Sequence, residues 1–124
     1  MYNETVQDHY RHPRNLGRLE APDGVGEASI REPGVDWLQV SLRLDGERIA
    51  EARFRAIGCA ATIAAGSAMT EWLVGRLVAE AVQLDAAIVL DVLGGLPDDK
   101  RYCADLASTA IRAAVQGAGS REQG

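Results

Sequence analysis

Two cysteines, Cys59 and Cys103, are the residues of this chain best suited to chemistry, because the sequence predicts each at the start of a helix. Backbone N–H groups and the macrodipole at that end favour the thiolate, the form that binds soft metals and attacks sulfur. Cys59 follows Gly58 in RAIGCAATIAAGSAMTEW, and Cys103 follows Lys100, Arg101 and Tyr102 in PDDKRYCADLASTAIRAAV, where positive charge adds to the activation of the thiol. With no CxxC pair and a long stretch between the two, neither a disulfide scaffold nor a four-cysteine zinc site is expected. A metal site must therefore recruit other residue types. Packing as two small buried hydrophobes is the competing reading of the pair. His9 and His12 lie one helical turn apart ahead of Pro13; the spacing suits a metal, but they are read as surface residues.

The elements that must position these thiols follow from patterning. Tyr2 to Arg11 predicts a short helix capped by Asn3 and stopped by Pro13, and NLGRLEAPDGVGE then reads as loop. Glu27 to Arg31 predicts a short edge strand, with Pro33-Gly34 as a break after it. The clearest signal is a hairpin. Leu38, Val40, Leu42 and Leu44 alternate on one strand, Ala50, Ala52, Phe54 and Ala56 on the other, and Asp45-Gly46 supplies the turn. The opposite faces carry Gln39, Ser41, Arg43, Glu51, Arg53 and Arg55, so one face of the sheet meets solvent and the other needs helices to cover it. Helices are predicted over Ala60 to Val74, Val78 to Gln83, Asp85 to Leu93 and Lys100 to Gln116. Strands followed by helices predict an α+β sandwich: a small antiparallel three-stranded sheet covered on one face by helices.

At 124 residues and 47% hydrophobic content the chain fits one domain, residues 1–116, with a C-terminal tail over residues 117–124 read as disordered. Burial of roughly two-thirds of the unfolded surface is expected at this size. No stretch approaches the ~20 apolar residues of a membrane span, and the polar opening MYNETVQDHYRHPRN lacks the apolar core of a signal peptide, so the expectation is a cytoplasmic protein without membrane contact. The net charge of −5 is dispersed and Lys100-Arg101 is the longest basic cluster, which gives nucleic acid no electrostatic footprint.

Several segments in order resemble the IscU/NifU-type iron–sulfur cluster assembly scaffolds. The family's DHYxxPRNxG stands here as Asp8 through Gly17, EDARFxxxGCxxxIAxxSxxTEW is matched by Glu51 through Trp72, and LPPVK…HC corresponds to Leu96 through Cys103. The resemblance covers nearly the whole chain and implies the SufE/NifU superfold. It also implies a ligand set of Asp36, Cys59 and Cys103. Two further family ligands are absent, the first cysteine aligning with Gly34 and the histidine with Tyr102.

A [2Fe–2S] cluster held by one chain has four terminal positions to fill, so three ligands leave three arrangements open. Tyr102 is one candidate ligand, since phenolate binds ferric iron, with packing at the helix entrance as its alternative. A homodimer sharing the cluster is another. The third is a single zinc or ferrous ion held by two thiolates, one carboxylate and water. Asp36 has an alternative too, as a solvated carboxylate at a turn before a strand.

The resemblance further implies sulfur delivery by a cysteine desulfurase and transfer of the product to apo iron–sulfur proteins; Cys103, at a helix start beside Lys100-Arg101 and expected in an exposed loop, is the candidate persulfide acceptor. The family's segment for a DnaK-type chaperone reads Leu96-Pro97-Asp98-Asp99-Lys100 here, and two aspartates in place of Pro-Val argue against that partner. The resulting expectation is a non-enzymatic scaffold or carrier for iron or a labile [2Fe–2S] cluster. Its alternatives are a zinc- or iron-supported sulfurtransferase and an interaction module that has lost the chemistry.

Overall fold

The computed structural model describes residues 1–32 and 35–123. Its elements are α1 (Glu4–Arg11), β1 (Gly24–Ile30), β2 (Asp36–Asp45), β3 (Arg48–Ile57), α2 (Ala60–Leu73), α3 (Val78–Ala81), α4 (Ala86–Leu93), a 3₁₀ turn at Asp98–Lys100, and α5 (Tyr102–Gln123). The three strands form one antiparallel sheet in the order β1-β2-β3. The architecture is the α+β arrangement expected from the order of strands and helices.

Alternation decides which sheet face is buried. Leu38, Val40 and Leu42 of β2 and Ala52 and Phe54 of β3 are buried under α2 and α5, against Ala65, Met69, Ala107, Ala110 and Ile111. One part of the expected pattern fails. A bulge shifts the register between Arg43 and Leu44, so Leu44 pairs with Ile49, and Ile49 is buried while Ala50 faces solvent. The extra residue in β3 reverses the alternation beyond it, as a bulge does. The outer face is polar. Arg43 pairs with Glu51, Arg55 donates to Gln39, and the Arg55 guanidinium lies 6.0 Å from the centre of the Trp37 ring.

The N-terminal segment holds this sandwich at its edge. The Asn3 side chain caps α1 by accepting from the Val6 amide at 2.9 Å, and its amide group donates to the carbonyls of Leu93 at the end of α4 and Gly95 just past it. His9, expected at the surface, is buried with Nδ1 2.7 Å from the Ser67 hydroxyl of α2, while His12 is exposed, so the pair does not converge. Asn15 adopts a left-handed backbone (φ 64), which lets its carbonyl accept from Phe54 N–H while Gly17 N–H donates to Phe54 C=O. The PRNxG segment thus satisfies the free edge of β3.

The last helix departs from expectation at both ends. It begins at Tyr102, after the 3₁₀ turn, and runs to Gln123, past the expected end at Gln116. Ala118, within the segment read as tail, is fully buried. The reason is close contact with β1: a Cβ added at Gly24 or Gly26 would collide with backbone atoms of Ala114, and at Gly24 also with Ala118. Bare backbone on the strand lets the helix lie directly on it. Tertiary packing then outweighs the poor helix propensity of Gly117 and Gly119.

Candidate metal centre

The site forms where the hairpin returns to its open end. Because Trp37 pairs with Ile57, Asp36 at the start of β2 lies next to Gly58 just beyond β3. Gly58 has φ +148, and a Cβ there would strike Oδ1 of Asp36. Glycine is required on both counts. Cys59 follows as the N-cap of α2 in an extended conformation, and its carbonyl accepts from the amides of Thr62 and Ile63. Cys103 enters from the first turn of α5 and is 0% exposed, in place of the exposed loop expected for it.

These three residues converge. One ligand atom each from Asp36, Cys59 and Cys103 lies within 4.8 Å of the others, and the two Sγ atoms are 3.7 Å apart. Asp36 is 2% exposed and fully engaged, which excludes the reading of a solvated turn carboxylate. Oδ1 accepts from the Thr62 hydroxyl at 2.7 Å and from the Cys59 amide at 3.2 Å, while Oδ2 accepts from the Tyr102 hydroxyl at 2.9 Å. Gly34, aligned with the family's first cysteine, lies outside the described residues.

The hydrogen bonds set the charge states. Burial pushes the Asp36 carboxyl up, but donation by Thr62, the Cys59 amide and Tyr102 outweighs it and holds the group below the usual carboxylate range. Hydrogen bonding from the Cys103 thiol lowers Cys59 to about 5, against burial and with help from Thr62 and the first amides of α2. Cys103 moves the other way, first because it donates to the Cys59 sulfur and then because it is buried. The pair therefore shares one proton, held on Cys103. Burial, followed by donation to Asp36, raises the Tyr102 phenol, so Tyr102 stands as a neutral donor to the carboxylate.

Two further residues, Thr62 and Tyr2, belong to this site. Thr62 hydroxyl touches all three ligand residues, at 2.7 Å from Asp36 Oδ1, 3.4 Å from Cys103 Sγ and 3.6 Å from Cys59 Sγ. Its position one helical turn after Cys59 is the only clue. Tyr2 is half-buried, and its phenol is raised by burial and then by the charge of the neighbouring thiol pair. Next in sequence to Asp36 and Gly58, Val35 and Ile57 are 68% and 62% exposed.

Two sulfurs and one carboxylate oxygen suit a four-coordinate zinc or ferrous ion with one open position. A small α+β sandwich with two thiols and a carboxylate gathered at one end of its hairpin, in an arrangement that could hold a metal ion, is the class of domain that fold and site define. The comparisons specify it: the model of the NifU-like N terminal domain matches residues 1–123, and the chain belongs to that family. It is 38% identical over 115 residues to iron-sulfur cluster assembly scaffold protein IscU 1 of Archaeoglobus fulgidus, covering 93% of this chain and 74% of that protein. It is 37% identical over 118 residues to the scaffold protein IscU of Azotobacter vinelandii, covering 93% and 91%. Among solved structures, a NifU-like N-terminal protein from Brucella abortus superposes with a TM-score of 0.77 at 14% identity, covering 95% of this chain and 94% of that one. That likeness speaks for the fold. Among the described residues no helix is long and apolar enough to cross a membrane.

Proposed function

We propose that this chain is a scaffold for iron–sulfur cluster assembly: it accepts sulfur from a cysteine desulfurase, combines it with iron at Asp36, Cys59 and Cys103, and passes the product to apo iron–sulfur proteins. The observation that carries this reading is the convergence of those three side chains, drawn from β2, α2 and α5, with their ligand atoms within 4.8 Å. Iron and sulfide are cargo here. Cys59 is the entry point for sulfur, because its half-exposed thiolate meets both requirements of a sulfur nucleophile, whereas Cys103 is buried and protonated. This moves the acceptor role from Cys103 to its neighbour. Tyr102 orients Asp36 through its hydrogen bond and leaves the fourth metal position to an exchangeable ligand.

Anaerobic reconstitution with ferrous iron and sulfide tests the reading. A visible chromophore is expected, and Cys59→Ala and Cys103→Ala each abolish it. A colourless protein free of iron overturns it. The set of two thiolates, one carboxylate and an open position also favours a second reading, a zinc- or iron-supported sulfurtransferase. One metal per chain with no acid-labile sulfide in anaerobically purified protein selects that reading.

A further inference from the structure

The two thiols differ in access, and that difference has a chemical consequence. Cys59 is half-buried and open to a donor, whereas Cys103 is fully buried with its sulfur 3.7 Å from that of Cys59 and 3.4 Å from the Thr62 hydroxyl. An external thiol approaching a group on Cys59 must come from solvent. Cys103 is already in contact. Closing the pair into a disulfide requires the sulfurs to approach from 3.7 Å to about 2 Å, within the reach of side-chain rotation and small helix shifts.

We infer that Cys103 is a resolving thiol, which attacks a persulfide formed on Cys59 and releases its outer sulfur as hydrosulfide inside the site. The inference rests on sulfur arriving at Cys59. The step is self-contained. Cys103 Sγ attacks Cys59 Sγ, a Cys59–Cys103 bond forms, and the bond to the outer sulfur breaks. The electron pair of that bond leaves with the outer sulfur, and the Cys103 proton goes with it, giving HS⁻ from a persulfide anion. Sulfane sulfur is reduced to sulfide while the two cysteines are oxidised to a disulfide, so this step needs no external reductant. Thr62, hydrogen-bonded to Asp36 and beside Cys103 Sγ, keeps the attacking sulfur aligned. The product is sulfide released next to Asp36, with both thiols withdrawn from metal binding until a dithiol reductant reopens them.

The test uses the full chain, reduced, freed of metal with a chelator and treated anaerobically with inorganic polysulfide, then desalted and followed by intact and peptide mass spectrometry with a sulfide assay. Wild type is expected to lose two hydrogens, to show a Cys59–Cys103 disulfide and to release about one sulfide per chain. Cys103→Ser, or Cys103→Ala if serine is not tolerated in the buried site, is expected to keep one added sulfur on Cys59 and to release none. A wild-type chain that keeps a stable persulfide on Cys59 with Cys103 reduced overturns the inference alone. No added sulfur on Cys59 in either Cys103 variant, with both thiols of wild type still reduced, overturns the acceptor role of Cys59 and the inference with it.

Discussion

The hydroxyl of Tyr102 donates to Oδ2 of Asp36 at 2.9 Å, leaving Oδ1 to the Thr62 hydroxyl and the Cys59 amide. The carboxylate is therefore held by three donors from two helices before any metal arrives. Such partners fix a ligand's orientation and commonly alter metal affinity by roughly 10–100-fold when removed. Tyr102→Phe is expected to keep the metal stoichiometry and to weaken affinity within that range, measured by competition with a chromogenic chelator. Ferric wild-type protein is expected to lack a phenolate-to-iron charge-transfer band, which a tyrosinate ligand would produce.

Gly58→Ala attacks the same carboxylate from the other side. The added Cβ would meet Asp36 Oδ1, on a backbone at φ +148 that side chains rarely adopt. The expected result is a loss of about 1–3 kcal/mol in stability and displacement of Asp36. Metal titration should therefore show a larger loss than Tyr102→Phe. Equal metal affinity in wild type and Gly58→Ala would contradict the placement of Asp36 as a ligand.

The thiol pair makes a prediction about pH. Cys59 is lowered to about 5, chiefly by the Cys103 thiol, so its alkylation by iodoacetamide in metal-free protein should already be near its plateau at neutral pH and fall as pH drops through that value. Cys103→Ala removes the main donor and should move the profile upward toward the ordinary thiol range. Cys103 in wild type should react only on unfolding, since it is fully buried.

Asp36 makes another. Its carboxyl is held below the usual range, so the unfolded chain binds a proton more readily than the folded one. The stabilisation is complete above the unfolded value of about 4 and is lost as pH falls through the folded value. Denaturant titrations of metal-free protein should show wild type losing stability over that acid range more steeply than Asp36→Asn. The variant should already be less stable at neutral pH by about 1–3 kcal/mol.

Much of this organisation is legible in the residues, and the failures have identifiable causes. The alternation of Leu38, Val40 and Leu42 with Ala52 and Phe54 defines the hairpin and its buried face, because side chains on a strand have only two directions. Ile49 replaces Ala50 inside because a bulge depends on backbone geometry at one step, which composition does not encode. Cys59 is recognisable through its surrounding motif, whereas Asp36 lies in none of the matched segments and is reached only through the ligand set that the resemblance implies. Cys103 is misplaced in exposure because the polar run from Asp98 to Arg101 suggests an open loop, yet the helix directs Cys103 inward along with Ala104 and Ala107. Thr62 escapes notice because a threonine inside a helix is ordinary, and its contacts with Asp36 and Cys103 come from distant segments. The length of α5 is set by glycines on β1, a contact between opposite ends of the chain.

That last contact reaches the thiols. Cys103 sits on the first turn of the helix whose middle and C-terminal half are seated on Gly26 and Gly24, so one continuous element carries both contacts. An α-helix that slips by one residue advances about 1.5 Å and turns about 100°, enough to point Cys103 away from Cys59. The smoothness of an edge strand therefore acts as the gauge that sets the sulfur–sulfur gap, and the tolerance of the reactive end is machined at the opposite end of the molecule.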